Sequence, residues 1–252
     1  MPHYAYIIRY CRLGGICCAL PPKTRLQREV INMAGIILKE VSMYYGTKKV
    51  LDKFNVTFEK GEKTVIVGSS GCGKTTLLRL IAGLEVPGSG EIIIEGKLAS
   101  KPDWILPPNK RSLGFVFQAP SLWPHMTVEQ NIQFGLSHLP EKKARERLME
   151  MMEKTSILHL RGRYPDQISG GEARRVSIAR ALAPSPQFLL MDEPLTNLDK
   201  ALKDILVLMI NKLTADENTT LLYVTHDLDE AAIIANRILT LKEGRTLEAR
   251  EE

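Results

Sequence analysis

The sequence predicts an α/β fold with three parts: a parallel sheet that carries a phosphate-binding loop, an N-terminal antiparallel β subdomain and a small helical insert. Short β-branched runs alternate with helical patterns along most of the chain. A glycine-rich stretch at residues 68–75 lies between one such run and a helical pattern, which is the context of a phosphate loop. With 252 residues, 44% of them hydrophobic, the chain can bury the core of one large domain or of two subdomains.

Strands dominate the first part of the chain. The pattern at residues 36–41 predicts a first strand, and the alternation of apolar and polar side chains at residues 54–58 predicts a half-buried second strand. Further strands are predicted at residues 64–67, 91–95, 112–117, 188–191 and 221–224. Helices are predicted at residues 127–136 and 141–158, within an insert at about residues 119–171.

The glycine-rich loop contains the residue types that a nucleoside triphosphate needs. It consists of Gly68, Ser69, Ser70, Gly71, Cys72, Gly73, Lys74 and Thr75, and Thr76 follows in the helix. Glycines allow successive backbone N–H groups to point at one anion, and the helix N-terminus adds its dipole. Lys74 supplies a charge for the phosphates, and the Thr75 hydroxyl suits Mg2+. Glycine-rich turns also occur without ligands, but the full pattern in this position predicts a P-loop NTPase core.

Two carboxylates follow the apolar strand predicted at residues 188–191. Asp192 is placed to hold Mg2+ through water, and Glu193 to polarise the water that attacks a γ-phosphate. Paired acids after a strand are more often a solvated edge. Because a phosphate loop lies upstream in this chain, we expect the two acids to act on a bound nucleotide instead.

A second pair of glycines, Gly170 and Gly171, lies between Ser169 and Glu172. Ser169 and Glu172 have the spacing of a capping box, which is a structural role. Glycines at a helix start also form an anion-binding end, and both roles are compatible. His226 follows the strand predicted at residues 221–224, where a lone histidine is usually an ordinary strand-end residue.

Taken in order, these motifs resemble the nucleotide-binding domain of ABC transporters. The motifs are residues 68–75, Gln118, residues 168–172, residues 191–194, residues 198–199 and His226, and the resemblance covers residues 36–248. It implies that ATP and Mg2+ bind and that two subunits sandwich two ATP molecules. A single subunit is therefore not expected to be competent.

The resemblance also implies a role for each matching position. Tyr45 is expected to stack on adenine, Gln118 to touch Mg2+ and sense the membrane partner, and Asp199 to lie at the dimer interface. The predicted metal ligands are Thr75, Gln118 and Asp192, and the predicted catalytic groups are Lys74, Gln118, Glu193, as the base, and His226, as a γ-phosphate contact. Ser169, Gly170, Gly171 and Glu172 correspond to the signature that closes over the nucleotide of the opposite subunit.

Glu172 departs from the family pattern, in which glutamine is commonest at this position. Because a carboxylate repels a phosphate, we expect Glu172 to fold back on its own helix cap.

The segment after Gln118, residues 117–132, resembles the importer branch of the family, in which it grips a coupling helix of a permease. Leu122, Trp123 and His125 are candidates for that groove; the alternative is that they fill the core of the helical insert. Expected partners are a second copy of the chain, a membrane permease and, indirectly, a substrate-binding protein. The expected location is peripheral, on the cytoplasmic side of the cell membrane. The ATPase of a two-component exporter, or a soluble ABC protein acting on nucleic acid or ribosomes, is the alternative.

The first 32 residues differ in character from the rest. They contain five basic residues and one acidic residue, so they contribute +4 of the formal charge of +5 and leave almost none for the globular part. Bulk charge therefore gives no support for a nucleic-acid partner. We expect residues 1–32 to be a non-native upstream extension, with the ABC ATPase domain at residues 33–252. The regulatory barrel that many importer ATPases carry at the C-terminus is expected to be absent.

Overall fold

The structure, a computed structural model, describes residues 34–251, so the predicted extension lies outside the described residues. The strands in this range are β1 (Ala34–Tyr45), β2 (Lys48–Glu59), β3 (Lys63–Val67), β4 (Ser89–Ile94), β5 (Lys97–Lys101), β6 (Trp104–Ile105), β7 (Leu113–Val116), β8 (Phe188–Asp192), β9 (Thr220–Val224), β10 (Arg237–Lys242) and β11 (Arg245–Glu251). The helices are α1 (Lys74–Ala82), α2 (Val128–Gln133), α3 (Glu141–Lys154), α4 (Gly170–Leu182), α5 (Lys200–Asp216) and α6 (Leu228–Ile234).

The strands form two sheets. One has the order β2-β1-β4-β5-β6 and is antiparallel throughout. The other has the order β11-β10-β3-β9-β8-β7, in which β10, β3, β9, β8 and β7 run parallel and β11 is antiparallel to β10. The predicted α/β fold, with a parallel sheet and an antiparallel one, is confirmed.

The register of the parallel sheet places the ends of three strands side by side. Val224 of β9 pairs with Ile66 of β3 on one side and with Asp192 of β8 on the other. The loops that follow these three strands therefore leave the same edge of the sheet. This edge carries the phosphate loop, Glu193 and His226.

Two apolar clusters cover the two faces of the parallel sheet. The first joins the sheet to the helical part of the chain and includes Val116, Val128, Ile132, Leu148, Met151, Leu189 and Leu221. The second lies between the parallel sheet, α1 and the antiparallel sheet, and includes Ile36, Phe54, Leu77, Leu80, Phe188 and Leu222. Each such fully buried side chain contributes about 1.5–3 kcal/mol relative to an exposed one. The helices between residues 119 and 171 thus share one core with the sheet.

The helix predicted at residues 141–158 was placed wrongly at its C-terminal end, because α3 stops at Lys154. The Thr155 hydroxyl donates to the Met151 carbonyl at 2.7 Å, and Ser156 adopts a left-handed backbone with φ 57°. That conformation ends an α-helix, and a separate 3-10 turn follows at Leu158–Leu160.

Within residues 34–251, no helix combines the length and the apolar character needed to cross a bilayer.

Candidate active site

The loop between β3 and α1 has the backbone conformation of an anion cradle. Gly71 and Gly73 have φ values of 77° and 112°, which side-chain-bearing residues rarely adopt. A Cβ on Gly68 would lie 2.3 Å from the Leu241 carbonyl oxygen, so this position admits only glycine without a backbone shift. A cleft of about 410 Å³ opens beside the loop. It is lined by Tyr45, Lys48, Val50, Ser70, Gly71, Gly73, Lys74, Thr75, Thr76, Gln118 and Glu193.

Lys74 is buried against its own loop, with 4% of its side chain exposed. Its Nζ donates to the carbonyl oxygens of Gly68, at 2.8 Å, and Ser69, at 3.2 Å. A buried ammonium group must be compensated, and here backbone carbonyls supply the compensation. These bonds hold Lys74 at the loop, close to the position where an anion would bind. Phosphate oxygens are stronger partners than carbonyls, so a bound phosphate would attract the ammonium group away from them.

Thr75 and Asp192 bring two oxygen donors together. The Thr75 hydroxyl donates to Asp192 Oδ1 at 3.0 Å, although the two residues are 117 positions apart. Burial at the end of β8 raises the pKa of Asp192, while the bond from Thr75 acts in the opposite direction. A hydroxyl and a carboxylate at the edge of a cleft that Gln118 also lines form a hard oxygen donor set. Such a set fits Mg2+.

Glu193 follows β8 directly and has a strained backbone, with φ 44°. Its Oε1 lies 3.8 Å from Lys74 Nζ, and its Oε2 lies 3.6 Å from His226 Nδ1. The Thr196 hydroxyl donates to the Glu193 carbonyl at 3.1 Å and lies 3.4 Å from Oε2. A left-handed non-glycine residue costs about 1–3 kcal/mol and persists only where its surroundings fix it. The left-handed backbone of Glu193 therefore depends on the surrounding structure, and the two distances above place its carboxylate between Lys74 and His226.

The loop that carries His226 is fixed by a buried carboxylate. Glu230 accepts hydrogen bonds from the Tyr223 and Thr225 hydroxyls, both at 2.8 Å. The Thr225 hydroxyl in turn accepts from the Asp227 backbone N–H at 3.0 Å, so the backbone on both sides of His226 is anchored. Sequence reasoning did not identify Glu230, since a glutamate in the first turn of α6 has the pattern of an ordinary helix start.

Ser169 and Glu172 form the predicted capping box, which is confirmed. The Glu172 carboxylate accepts from the Ser169 backbone N–H and from its hydroxyl, both at 2.8 Å, and the Glu172 N–H donates to the Ser169 hydroxyl at 3.3 Å. These bonds lower the pKa of Glu172, with the backbone N–H as the largest contribution. Residues 169–172 do not line the cleft beside the phosphate loop of the same described chain.

The two signature glycines have different surroundings. A Cβ on Gly171 would lie 2.6 Å from Leu202 Cδ2, whereas a Cβ on Gly170 would meet nothing within 4 Å. Packing within the described chain therefore explains Gly171 but not Gly170. Glycine costs about 1 kcal/mol relative to alanine in a helix interior, so an open glycine near a helix start is a candidate for close approach by another molecule.

Tyr45 lies at the cleft beside the phosphate loop, whereas Asp199 is not among its lining residues in the described chain. Tyr45 lines the cleft, and its hydroxyl donates to Glu85 at 2.5 Å, which fixes the ring beside α1. Burial and the bond to Glu85 raise the pKa of Tyr45. Asp199 caps α5 by accepting from the Leu202 N–H at 3.0 Å, and it is not part of the cleft lining in the described residues.

The three predicted groove residues have different environments. Leu122 packs against the first apolar cluster, as the alternative interpretation expects. Trp123 is half-buried and packs against Phe134 in a tilted arrangement, with ring centroids 4.6 Å apart and an angle of 51° between the ring planes. A groove of about 400 Å³ next to it is lined by His125, Met126, Gln130, Gln133 and Phe134. Phe134, which sequence reasoning missed, has 58% of its surface exposed.

Comparison with known sequences decides the family. The sequence model of the ABC transporter family matches residues 51–196, more than half of the chain. The chain belongs to the ABC transporter family. This confirms the resemblance drawn from the motifs.

Similar curated ABC proteins are named as import ATP-binding proteins. The chain is 42% identical to the spermidine/putrescine import ATP-binding protein PotA of Mesorhizobium japonicum over 87% of its length and 59% of that protein's. It is 37% identical to the Fe(3+) ions import ATP-binding protein FbpC 2 of Haemophilus influenzae, covering 87% and 62% of the two chains. For the maltose/maltodextrin import ATP-binding protein MalK of Yersinia pestis the identity is 41%, covering 84% and 57%. The chain thus spans about six-tenths of the length of these relatives.

Solved ABC cassettes have the same fold. The dimeric structure of the bacterial ABC transporter cassette MJ0796 matches with a TM-score of 0.76 and 30% identity, covering 86% of this chain and 98% of that one. A post-hydrolysis dimer of the same cassette, bound to ADP and Pi, matches with a TM-score of 0.74.

Proposed function

We propose that the chain is the ATP-hydrolysing subunit of an ABC importer, acting as a homodimer on the cytoplasmic side of the membrane together with a separate permease. The observation that carries the proposal is the position of Glu193, 3.8 Å from Lys74 and 3.6 Å from His226 at the mouth of the phosphate loop. This arrangement brings together a carboxylate base, a phosphate-binding cation and a second γ-phosphate contact.

The hydrolysis step uses these residues as follows. Glu193 accepts a proton from a water molecule while the water oxygen forms a bond to the γ-phosphorus, and the bond to the β–γ bridging oxygen breaks, releasing ADP and phosphate. Lys74 leaves its loop carbonyls to neutralise the phosphate oxygens, and His226 orients the γ-phosphate. Tyr45 supplies the surface on which adenine stacks.

Thr75, Asp192 and Gln118 are proposed to hold Mg2+, which when bound neutralises the charge that develops on the phosphate oxygens. Thr75 and Asp192 are already joined at 3.0 Å, so little rearrangement is needed to present both oxygens. Substitution of Asp192 by asparagine would weaken this donor set while keeping the side chain's size.

A second copy of the chain completes each site in this proposal. Ser169, Gly170, Gly171 and Glu172 lie outside the cleft of their own described chain. Gly170 has open space where a Cβ would point, which suits the close approach of a nucleotide held by the partner. Asp199, at the start of α5, is proposed to lie at the same interface.

The importer assignment rests on the relatives and on the groove beside Trp123. The three named relatives import a polyamine, a metal ion and a sugar, yet each is 37–42% identical to this chain. The shared part therefore does not select the cargo, which we assign to the permease and a substrate-binding protein. The groove combines the exposed Phe134 ring and Met126 with three polar side chains, a mixture of an apolar anchor and a polar rim of the kind that receives a partner's helix.

Replacing Trp123 by alanine is expected to weaken binding of the permease encoded by neighbouring genes. Truncating an aromatic anchor of an interface typically costs about 2 kcal/mol or more, which is roughly a 30-fold loss of affinity. Co-purification of the two proteins measures the effect. Trp104→Ala is the matched control, since Trp104 is a 42% exposed tryptophan on β6. Equal retention of both variants would count against docking at this groove.

Replacing Glu172 by glutamine is expected to change the ATP hydrolysis rate by less than about 3-fold, because the amide oxygen still accepts from Ser169 in the capping box. Glu172→Ala removes that acceptor and should destabilise the start of α4 by about 1 kcal/mol. Steady-state phosphate release and thermal unfolding measure the two effects. A collapse of hydrolysis in the glutamine variant would show that the charge itself is needed.

A further inference from the structure

Arg174 joins α4 to the end of the strand that leads into Gln118. Its Nη1 donates to the Phe117 carbonyl at 3.0 Å and its Nη2 to the Gln118 carbonyl at 2.7 Å. The residue is 4% exposed, and none of the ion pairs in residues 34–251 involves it. Its buried Nε has no hydrogen-bond partner in the described chain. A buried guanidinium satisfied only by backbone carbonyls is costly, so a benefit other than stability is expected.

Arg180, further along α4, continues the same pattern. It donates to the carbonyls of Pro120, at 3.1 Å, and Ser121, at 2.9 Å. Its guanidinium also lies 4.8 Å from the centre of the Trp123 ring, which is a cation–π contact. The two arginines together bind four carbonyls of residues 117–121, and Arg180 also contacts Trp123, which packs against Phe134 of the groove lining. We refer to Arg174 and Arg180 as the arginine clamp.

The arginine clamp lies between the proposed nucleotide site and the proposed docking groove. α4 begins at Gly170, so the helix that carries the signature also carries both arginines. The segment that they hold begins next to Gln118, which lines the nucleotide cleft, and ends at Trp123 beside the groove. A displacement of α4 therefore pulls on the backbone of residues 117–121 through four hydrogen bonds.

We propose that Arg174 and Arg180 are positioning residues that make residues 117–123 move together with α4, so that closure of the signature over a nucleotide is transmitted to the groove beside Trp123. The inference rests on the proposed function, since it assigns a route between two sites named there. It adds the residues that carry the coupling.

Hydrogen exchange measured by mass spectrometry tests the proposal on the full chain carrying Glu193→Gln, with and without ATP and Mg2+. In this parent, ATP is expected to slow exchange at residues 68–75, at the start of α4, and at residues 118–126, the last by about 2- to 30-fold. In Arg174→Gln the slowing persists at the first two regions and is reduced at residues 118–126, and in a variant that also carries Arg180→Gln it is lost there. Arg174→Lys, which keeps the positive charge but has a single donor nitrogen in place of the forked guanidinium, retains part of the slowing.

Arg147→Gln is the matched control. Arg147 donates to the Leu182 and Ala183 carbonyls at the other end of α4, at 3.2 and 3.1 Å, and does not reach residues 117–121. It should leave all three ATP effects in place. Full slowing at residues 118–126 in Arg174→Gln, or loss of it in Arg147→Gln as well, would overturn the clamp. Failure of ATP to protect residues 68–75 in the parent would instead remove the proposed function, and this inference with it.

Discussion

Glu193→Gln is expected to lower the rate of ATP hydrolysis by about 10²- to 10⁴-fold, the usual contribution of a general base. Glutamine keeps the shape of the side chain and its position between Lys74 and His226, but it accepts a proton from water far less readily. ATP affinity should be retained, because removing a negative charge near the γ-phosphate does not oppose binding. Phosphate release and equilibrium ATP binding, measured on the same preparation, separate the two quantities.

Glu91→Gln is the control for this substitution. Glu91 lies on β4 in the antiparallel sheet and is exposed, so the same chemical change there should leave hydrolysis unaltered. Steady multiple turnover by Glu193→Gln would contradict the assignment of Glu193 as the base.

Lys74→Ala is expected to weaken ATP binding by about 10- to 100-fold, because it removes charge-assisted hydrogen bonds worth about 1.5–3 kcal/mol. The side chain is 4% exposed, and its ammonium group stabilises the loop through the Gly68 and Ser69 carbonyls. The substitution therefore removes both the phosphate contact and a support of the loop. Titration with a fluorescent ATP analogue measures the affinity.

Lys101→Ala provides the comparison for the loss of one positive charge, since Lys101 is exposed at the end of β5. Its affinity for the analogue should equal that of the unmodified chain. Undiminished binding by Lys74→Ala would show that the backbone N–H groups of the loop suffice, and the proposed role of Lys74 would be wrong.

The fold and the cleft residues could be predicted from sequence because each is encoded locally. A glycine-rich turn, an apolar strand and a capping box are patterns within about ten residues, and the parallel register brings their ends together. Thr75 and Asp192 are an example. Each could be predicted from its position near the end of a strand, and the packing of the parallel sheet brings the two side chains to 3.0 Å.

The residues that sequence reasoning missed act across the fold. Arg174 and Arg180 reach carbonyls 56 to 60 positions away, and an arginine on a helix gives no local sign of whether it faces solvent or a backbone. The same holds for Glu230, whose partners become visible only once β9 and α6 are packed together. The left-handed backbone of Glu193 is also invisible in sequence, because the strain is imposed by the surroundings of the residue.

We propose that each ATP site is shared between two copies of the chain, one supplying residues 68–75 and the other residues 169–172. Sedimentation velocity of Glu193→Gln with Mg2+ and ATP tests it most directly. We predict a dimer holding two ATP molecules, and its loss when Ser169 is replaced by arginine in the same chain. A monomer saturated with ATP would contradict the claim.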